Sequence, residues 1–389
     1  MRCRRAMCGF LPPYILRRLA ERGDDAQRSL AWATLDMSAH IRGERGALAF
    51  MPAALAVAAG EKRRTVYDAG NTRVLPGKRV RGEGDGRSGK PAVDEAYDGS
   101  GKTYDFFLDV LGRNSIDGRG MRLDSTVHFG VKFANAMWNG RQMIYGDGDG
   151  YLFNRFTRSL DVIAHELTHG VTQNTANLEY ADQSGALNEH FSDVFGVLVK
   201  QYSTKQAARD ADWLIGAELL SKRVHGAAVR SMKAPGTAYD DPLLGKDPQP
   251  AHMKQYLRTD EDNGGVHTNS GIPNHAFYRA AIAIGGNAWD VAGKIWFRAL
   301  TRHLRADASF QECADATVMS AGELFGVASE PADAVVAAWR AVGIAVSPSA
   351  VERGLPMVRV ARLDVPSAAA EVPADDRGVN GRPRRGRRV

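Results

Sequence analysis

The chain has 389 residues, 44% of them hydrophobic and 25% charged, the make-up of an ordinary soluble globular protein with room for two or three packed units. Its net charge of +6 would suit a polyanionic partner, but nine arginines against five carboxylates in residues 1–60, with five arginines in the last eight positions, more than account for it. Residues 61–381 are therefore net acidic, and neither nucleic acid nor membrane is an expected partner.

From the amino end, Cys8-Gly-Phe-Leu-Pro-Pro-Tyr14 leads into Ile15, Leu16 and Leu19, one face of a short helix starting after the proline pair. The prolines interrupt the apolar run too early for a conventional signal peptide, and apolar Ala47–Ala59 sits too deep to be one. The expectation is synthesis in the cytoplasm, with any export by a non-classical route. Cys3, Cys8 and Cys313 are too few and scattered for a disulfide framework or a thiolate metal site. Apolar Met51–Gly60 then runs into Glu61-Lys-Arg-Arg64, a segment boundary of a cleavable kind.

Residues 65–151 read as short strands and turns: Thr65–Tyr67, Val74–Leu75, Lys78–Arg81, Ser125–Phe129 and Arg141–Tyr145, interrupted by a helix at Tyr104–Leu111. Gly146-Asp-Gly-Asp-Gly150 lacks the distal glutamate of an EF-hand and reads as a turn. Helices dominate afterwards: Gly185–Lys200, Asp212–Leu220, Ile272–Ile284, Ala288–Leu304, Phe310–Phe325 and Ala332–Val342. Pro348, Pro356, Pro366 and Pro373, then the arginine-rich end, make residues 348–389 a poorly ordered basic tail. The units are a leader, 1–60; a β-rich lobe, 61–158; a central helix with an α-helical lobe, 159–347; and the tail.

The central helix carries the chemistry. Asp161-Val-Ile-Ala-His-Glu-Leu-Thr-His-Gly170 contains H-E-x-x-H. Four-residue spacing puts His165 and His169 on one helix face, able to grip one zinc ion, with Glu166 beside them. Ile163, Leu167 and Val171 form an apolar stripe on the opposite side, so the helix should run between two layers as the floor of a cleft. Three fixed positions also occur by chance in unrelated helices, so the downstream residues decide. Twenty positions after His169, Gly185-Ala-Leu-Asn-Glu189 offers Glu189 as a third ligand, or else a solvated helix carboxylate. Asp262-Asn-Gly-Gly-Val-His267 brings a carboxylate and a histidine into one glycine loop, an oriented proton donor or else a structural histidine. His190, His225, His252, His275 and His303 are read as structural.

Over roughly residues 65–345 the chain resembles the thermolysin family of zinc metalloendopeptidases. The resemblance rests on Asn135-Ala-Met-Trp138, Tyr145 to Gly150, His165 to His169, Gly185 to Glu189 with Ser192-Asp193, Arg230-Ser-Met232, and Asp262 to Ile272, in that order and spacing. Cys8 to Leu16 is similar to the short propeptide of the protealysin-like branch. The fold implied is α+β, with a β-rich N-terminal lobe, an α-helical C-terminal lobe and a zinc cleft between them.

The resemblance further implies that His165, His169 and Glu189 hold zinc and that Glu166 is the general base. Tyr180 and His267 would stabilise the oxyanion, with Asp262 orienting His267, while Asn188 and Asp193 fix the histidine rings. Asn135, Ala136 and Arg230 would hold the peptide. Phe153, Phe156, Val162, Ile215 and Val229 would line the pocket for the residue after the cut, favouring a bulky apolar side chain. Residues 1–60 would act in cis as a propeptide, docking through Phe10 to Leu16, with Cys8 either a packed thiol or a zinc ligand. The alternatives are a non-catalytic peptide binder and an exopeptidase sharing H-E-x-x-H.

The chain departs from the family at the paired calcium site. Asp161 and Asp212 are kept, but Lys200, Leu214 and Ala217 stand where carboxylates are expected. Each lost carboxylate removes charge and coordination. Lys200 is expected to pair with Asp161 or Asp212 in calcium's place, or else to swing out to solvent.

Overall fold

The structure, a computed structural model, describes residues 9–48 and 60–353, with backbone alone for 42–48 and 351–353. Cys3, Cys8, residues 49–59 and the tail beyond 353 lie outside the described residues. Two helices come first, α1 (Pro13–Arg22) and α2 (Asp25–Leu48). Pro13 occupies the first turn of α1, where a missing N–H costs no hydrogen bond, and Gly23 ends it by donating its N–H to Leu19 O. Ile15, Leu16 and Leu19 are buried, the face expected from their spacing. α2 was not expected: the face it buries, Ala31, Thr34, Met37, Ser38 and Ile41, is interrupted by two hydroxyl side chains and gives no clean apolar stripe. Met37 and Ile41, four apart, pack with Phe129, Phe133, Met137 and Ile144 in a small cluster of their own.

The β-rich part contains β1 (Arg64–Asp68), β2 (Lys78–Gly82), helix α3 (Pro91–Leu111), β3 (Leu123–Val127), β4 (Ala136–Trp138) and β5 (Met143–Tyr145). The strands form one sheet in the order β2-β1-β3-β5-β4. β1, β3 and β5 run parallel, while β2 and β4 pair antiparallel with β1 and β5. β4 is thus an edge strand, with one row of backbone groups outside the sheet ladder. Two expectations need correction. Val74–Leu75 forms no strand, because Pro76 follows and has no N–H for a ladder. α3 begins far ahead of Tyr104: Gly99 is a packing glycine rather than a breaker, since a Cβ there would stand 2.5 Å from Ile163 Cδ1.

The rest is mainly helical. α4 (Leu160–Gln173) and α5 (Asp182–Thr204) are followed by the two-residue strands β6 (Leu214–Ile215), β7 (Arg230–Ser231), β8 (Asp240–Asp241) and β9 (Gly245–Lys246). Then come α6 (Asp262–Asn269), α7 (Gly271–Ile284), α8 (Ala292–Arg298), α9 (Phe310–Phe325), α10 (Glu330–Ala341) and α11 (Pro348–Arg353). The helix expected at Asp212–Leu220 does not form. Trp213 and Gly216 take left-handed backbone, Asp212 Oδ1 caps Leu214 N–H, and Leu214–Ile215 pairs with Ser231 and Arg230. A side-chain cap and a long-range ladder override helical propensity there. The tail also starts later than expected. Asp315 holds Ser347 through its N–H and hydroxyl, Pro348 opens α11, and Ala350 is buried. The chain is therefore a sheet with α3 on the N-terminal side, helices on the C-terminal side, and α4 packed on α3, β4 and α5 between them.

One buried ion pair locks the β-rich part. Arg81 Nη1 meets Asp94 Oδ1 at 2.8 Å, each side chain only 7% exposed. Burial pushes the Asp94 carboxyl up, but donors from Ser88, the Arg81 charge and the Gly89 N–H outweigh it and hold it below the usual range. A depressed pKa contributes stability above the unfolded-state value and loses it as pH falls through the folded one. Asp94→Ala leaves the buried Arg81 guanidinium facing the half-exposed Asp98, 3.7 Å away, and is expected to cost about 3 kcal/mol in urea unfolding of the metal-free protein at pH 7. The gap from wild type should narrow as acid protonates Asp94; an unchanged midpoint at neutral pH would contradict this.

Candidate active site

α4 is buried from Asp161 to Thr172. α5 approaches it closely because residue 196 is glycine: a Cβ there would stand 2.6 Å from Asp161 O and 3.4 Å from His165 Cβ. This contact brings Asn188, Glu189 and Asp193 of α5 onto the histidine face of α4.

The ring contacts fix where the protons go. His165 Nδ1 lies 2.9 Å from Asp193 Oδ1, and His169 Nδ1 lies 2.8 Å from Asn188 Oδ1. Asn188 donates its own Nδ2–H to Leu178 O at 3.1 Å, which turns its oxygen toward the ring. Both Nδ1 atoms must then carry hydrogen, so each Nε2 presents a lone pair. Those two Nε2 atoms face each other at 3.1 Å. Glu189 adds oxygens 3.5 Å from His165 Nε2 and 3.5 Å from His169 Nε2. Two lone pairs and a carboxylate in a fully buried space require a cation, either a proton or a metal ion that displaces it.

The spacing suits zinc. Two donors each about 2.0–2.1 Å from a tetrahedral zinc lie roughly 3.3 Å apart, close to the 3.1 and 3.5 Å found here. The field is consistent: burial alone would lower the His165 pKa, yet Asp193 and Glu189 raise it to about 9. Burial would also raise Glu189, but His267, His169 and His165 hold it well below the usual carboxylate range. His165, Glu166 and His169 also lie within 4.8 Å of one another, a second possible ligand set. Glu166, however, is drawn aside, its Oε2 accepting Trp138 N–H from β4 at 2.8 Å. Its Oε1 is buried with no hydrogen-bond partner among the described residues, and burial pushes the carboxyl up to about 8.

Beside Glu189, Tyr180 donates its hydroxyl to Oε1, and His267 Nε2 stands 3.5 Å from Oε2. Tyr180 Oη and His267 Nε2 are 3.4 Å apart. The glycine loop ahead of His267 does what its sequence suggests. Asn263, Gly264 and Gly265 adopt left-handed backbone, folding Asp262 back so that its carboxylate meets His267 Nδ1 at 2.9 Å and His267 N–H at 3.0 Å. Arg230, fully buried, clasps Asp193 through Nε and Nη2.

The groups expected to hold a peptide hold the leader. Phe10 N–H donates to Ala136 O at 3.0 Å, Leu11 N–H to Asn135 Oδ1 at 2.9 Å, and Arg230 Nη1 to Phe10 O at 3.2 Å. The Phe10 ring stands edge-on to His165, centroids 5.1 Å apart, with Arg230 Cζ over its face at 4.4 Å. Gly216, next to Ile215, lies against this ring and Val229; a Cβ there would meet both within 3.1 Å. Phe153, Phe156 and Val162 are fully buried in the same apolar core.

Some partners escaped the sequence reading. Trp138 was visible only as a motif letter, yet its backbone positions Glu166. Asn274 ties Asp193 Oδ2 at 2.8 Å and His190 Nδ1 at 2.8 Å, and Trp296 donates to His190 Nε2 at 2.8 Å. Nothing local signals these; they come from chain segments some eighty residues or more apart. The expected calcium region instead holds an ammonium: Lys200 Nζ reaches Asp161 Oδ2 at 3.3 Å, Asp212 Oδ1 at 3.1 Å and Leu214 O at 2.7 Å. Asp147 and Asp149 are spent on His128 and on the N–H groups of residues 151–153, as a turn requires.

Comparison with known proteins agrees with this architecture. The family model described as "Thermolysin metallopeptidase, catalytic domain" matches residues 57–173, and the one described as "Thermolysin metallopeptidase, alpha-helical domain" matches 176–344. An extracellular metalloprotease of Pectobacterium carotovorum subsp. carotovorum is 51% identical over 88% of this chain and 98% of its own. Protease PrtS of a Photorhabdus species is 46% identical over 87% and 92%. The solved precursor of protealysin, a metalloproteinase from Serratia proteamaculans, superposes with a TM-score of 0.80 at 52% identity, covering 87% of this chain and all of its own. With this fold and this cation-demanding pair of imidazoles, the chain belongs to the thermolysin family and is a zinc metalloendopeptidase.

Proposed function

We propose that the chain is made as a zymogen whose mature form cuts peptides on the N-terminal side of bulky hydrophobic residues. The observation that carries this reading is the seating of Phe10–Leu11 on Ala136, Asn135 and Arg230, beside His165. An apolar ring in that pocket supports an apolar preference after the cut, and the leader's place there supports latency until residues 1–60 are removed. His165, His169 and Glu189 would hold the zinc, with Asp193 and Asn188 fixing the rings. When bound, zinc supplies Lewis acidity, making water a nucleophile near neutral pH and polarising the scissile carbonyl.

The remaining steps fall to the protein. β4 and Arg230 hold the substrate backbone as an added strand. Glu166, whose Oε2 is held by Trp138 N–H, would use Oε1 to take the proton of the attacking water and pass it to the leaving amine. Tyr180 and His267 donate to the developing oxyanion, and Asp262 keeps the His267 proton in place. Glu166→Ala, freed of its leader, should keep stoichiometric zinc and lose on the order of 10²- to 10⁴-fold in peptide hydrolysis. His165→Ala should lose the metal itself. Undiminished hydrolysis by Glu166→Ala would sink the mechanism.

We further propose that the Lys200 ammonium replaces calcium as the tie between α4, α5 and β6. Burial lowers its pKa, but Asp161 and Asp212 more than restore it, so the charge persists. Lys200→Ala should cost about 3 kcal/mol by leaving Asp161 buried without its counter-charge. Wild type should melt at the same temperature with calcium and with a calcium-selective chelator that spares zinc. Stabilisation saturating at micromolar calcium would disprove the replacement.

A further inference from the structure

The leader lies in the cleft with a readable direction. Phe10 pairs with Ala136 and Leu11 with Asn135, so the segment runs antiparallel to β4. Continued the other way, Gly9 is carried toward Trp138, whose N–H holds Glu166. The next bond along, Phe10–Leu11, is tied off: its carbonyl sits on Arg230 Nη1 and its N–H on Asn135. The Phe10 ring against His165 keeps this residue beside the imidazole pair. The peptide bond delivered to Glu166 is therefore Gly9–Phe10. Glycine is required there, because a Cβ on residue 9 would stand 2.7 Å from Ala136 O and 2.7 Å from the Asn135 side chain.

We propose that Gly9–Phe10 is a self-processing site, cut in cis by the chain's own centre; this rests on the endopeptidase reading above. Water oxygen bonds to the Gly9 carbonyl carbon and the C–N bond to Phe10 breaks. Glu166 takes the proton of the water and passes it to the Phe10 nitrogen. The products are a peptide of residues 1–9 ending in the Gly9 carboxylate and a chain beginning at Phe10. No oxidant or reductant is involved.

This cut differs from release of the leader. Ile15, Leu16 and Leu19 stay buried, Arg18 Nη1 binds Leu244 O and Lys246 O at 3.4 and 3.0 Å, and Arg22 Nη1 binds Pro242 O at 3.2 Å. α1 therefore keeps Phe10 in its pocket, and the trimmed chain stays latent until the stretch between α2 and β1 is also opened.

The test uses the full chain from a protease-deficient host, prepared metal-free and then given zinc, followed by intact-mass spectrometry and amino-terminal sequencing. Wild type should lose residues 1–9 and expose Phe10 at a rate independent of protein concentration, while hydrolysis of an added peptide stays low. Glu166→Gln should trim at least ~10²-fold more slowly. Gly9→Ala should slow trimming at least tenfold, yet give wild-type peptide hydrolysis once an added protease removes the leader. In the metal-free Glu166→Gln chain, hydrogen exchange should show protected Phe10 and Leu11 amides, and adding Gly9→Ala should cut that protection at least tenfold. A wild-type chain that keeps residues up to Gly9 while its leader-free form cuts peptides overturns the proposal alone. A leader-free, zinc-loaded form that cuts no peptide overturns the endopeptidase reading and the proposal with it.

Discussion

Two hydrogen bonds set the character of this protein: Asp193 on His165 Nδ1 and Asn188 on His169 Nδ1. Each commits a ring proton to the outer side, and the helix spacing of the histidines then forces two lone pairs together at 3.1 Å. That juxtaposition is unfavourable unless a cation lies between the rings. The fold is arranged to make it unavoidable. α5 can approach α4 only because Gly196 has no side chain, and Asp193 is itself held by Arg230 and Asn274. The surrounding hydrogen bonds thus fix the aim of two lone pairs at one point, which is what a metal ion needs.

The same network reaches the leader. Arg230 spends two nitrogens on Asp193 and the third on the carbonyl of the residue in the pocket. Ile215 pairs with Arg230 across β6 and β7, Gly216 N–H rests on Asp161 at 3.2 Å, and Asp161 takes the Lys200 ammonium. Ile215, Arg230, Asp193, Asp161 and Lys200 are thus one connected set. The Lys200 ammonium places positive charge between the Asp161 and Asp212 carboxylates and the Leu214 carbonyl, with three donors for them.

The sequence made the local part of this legible. His165, Glu166 and His169 follow from helix periodicity, Glu189 is a candidate on the next amphipathic helix, and the Asp262–His267 turn follows from two adjacent glycines, while the role of Asp193 came with the family resemblance. Long-range features were not legible from pattern alone. β4 is three residues long, and its importance lies in being an edge, which depends on the order of five strands. Asp212–Leu220 was misread because an aspartate cap and a partner strand fifteen residues on outweigh helical propensity. The early start of α3 was not legible either: Gly99 within it packs against Ile163, sixty-four residues away. No helix among the described residues is long and apolar enough to cross a membrane.

Anomalous diffraction at the zinc edge from crystals of the full-length chain tests the central claim most directly. The account requires one strong peak between His165 Nε2, His169 Nε2 and Glu189, with both Nδ1 contacts kept and Glu166 still on Trp138 N–H. A zinc bound by Glu166 in place of Glu189, or no peak between the two rings in zinc-saturated crystals, would contradict it.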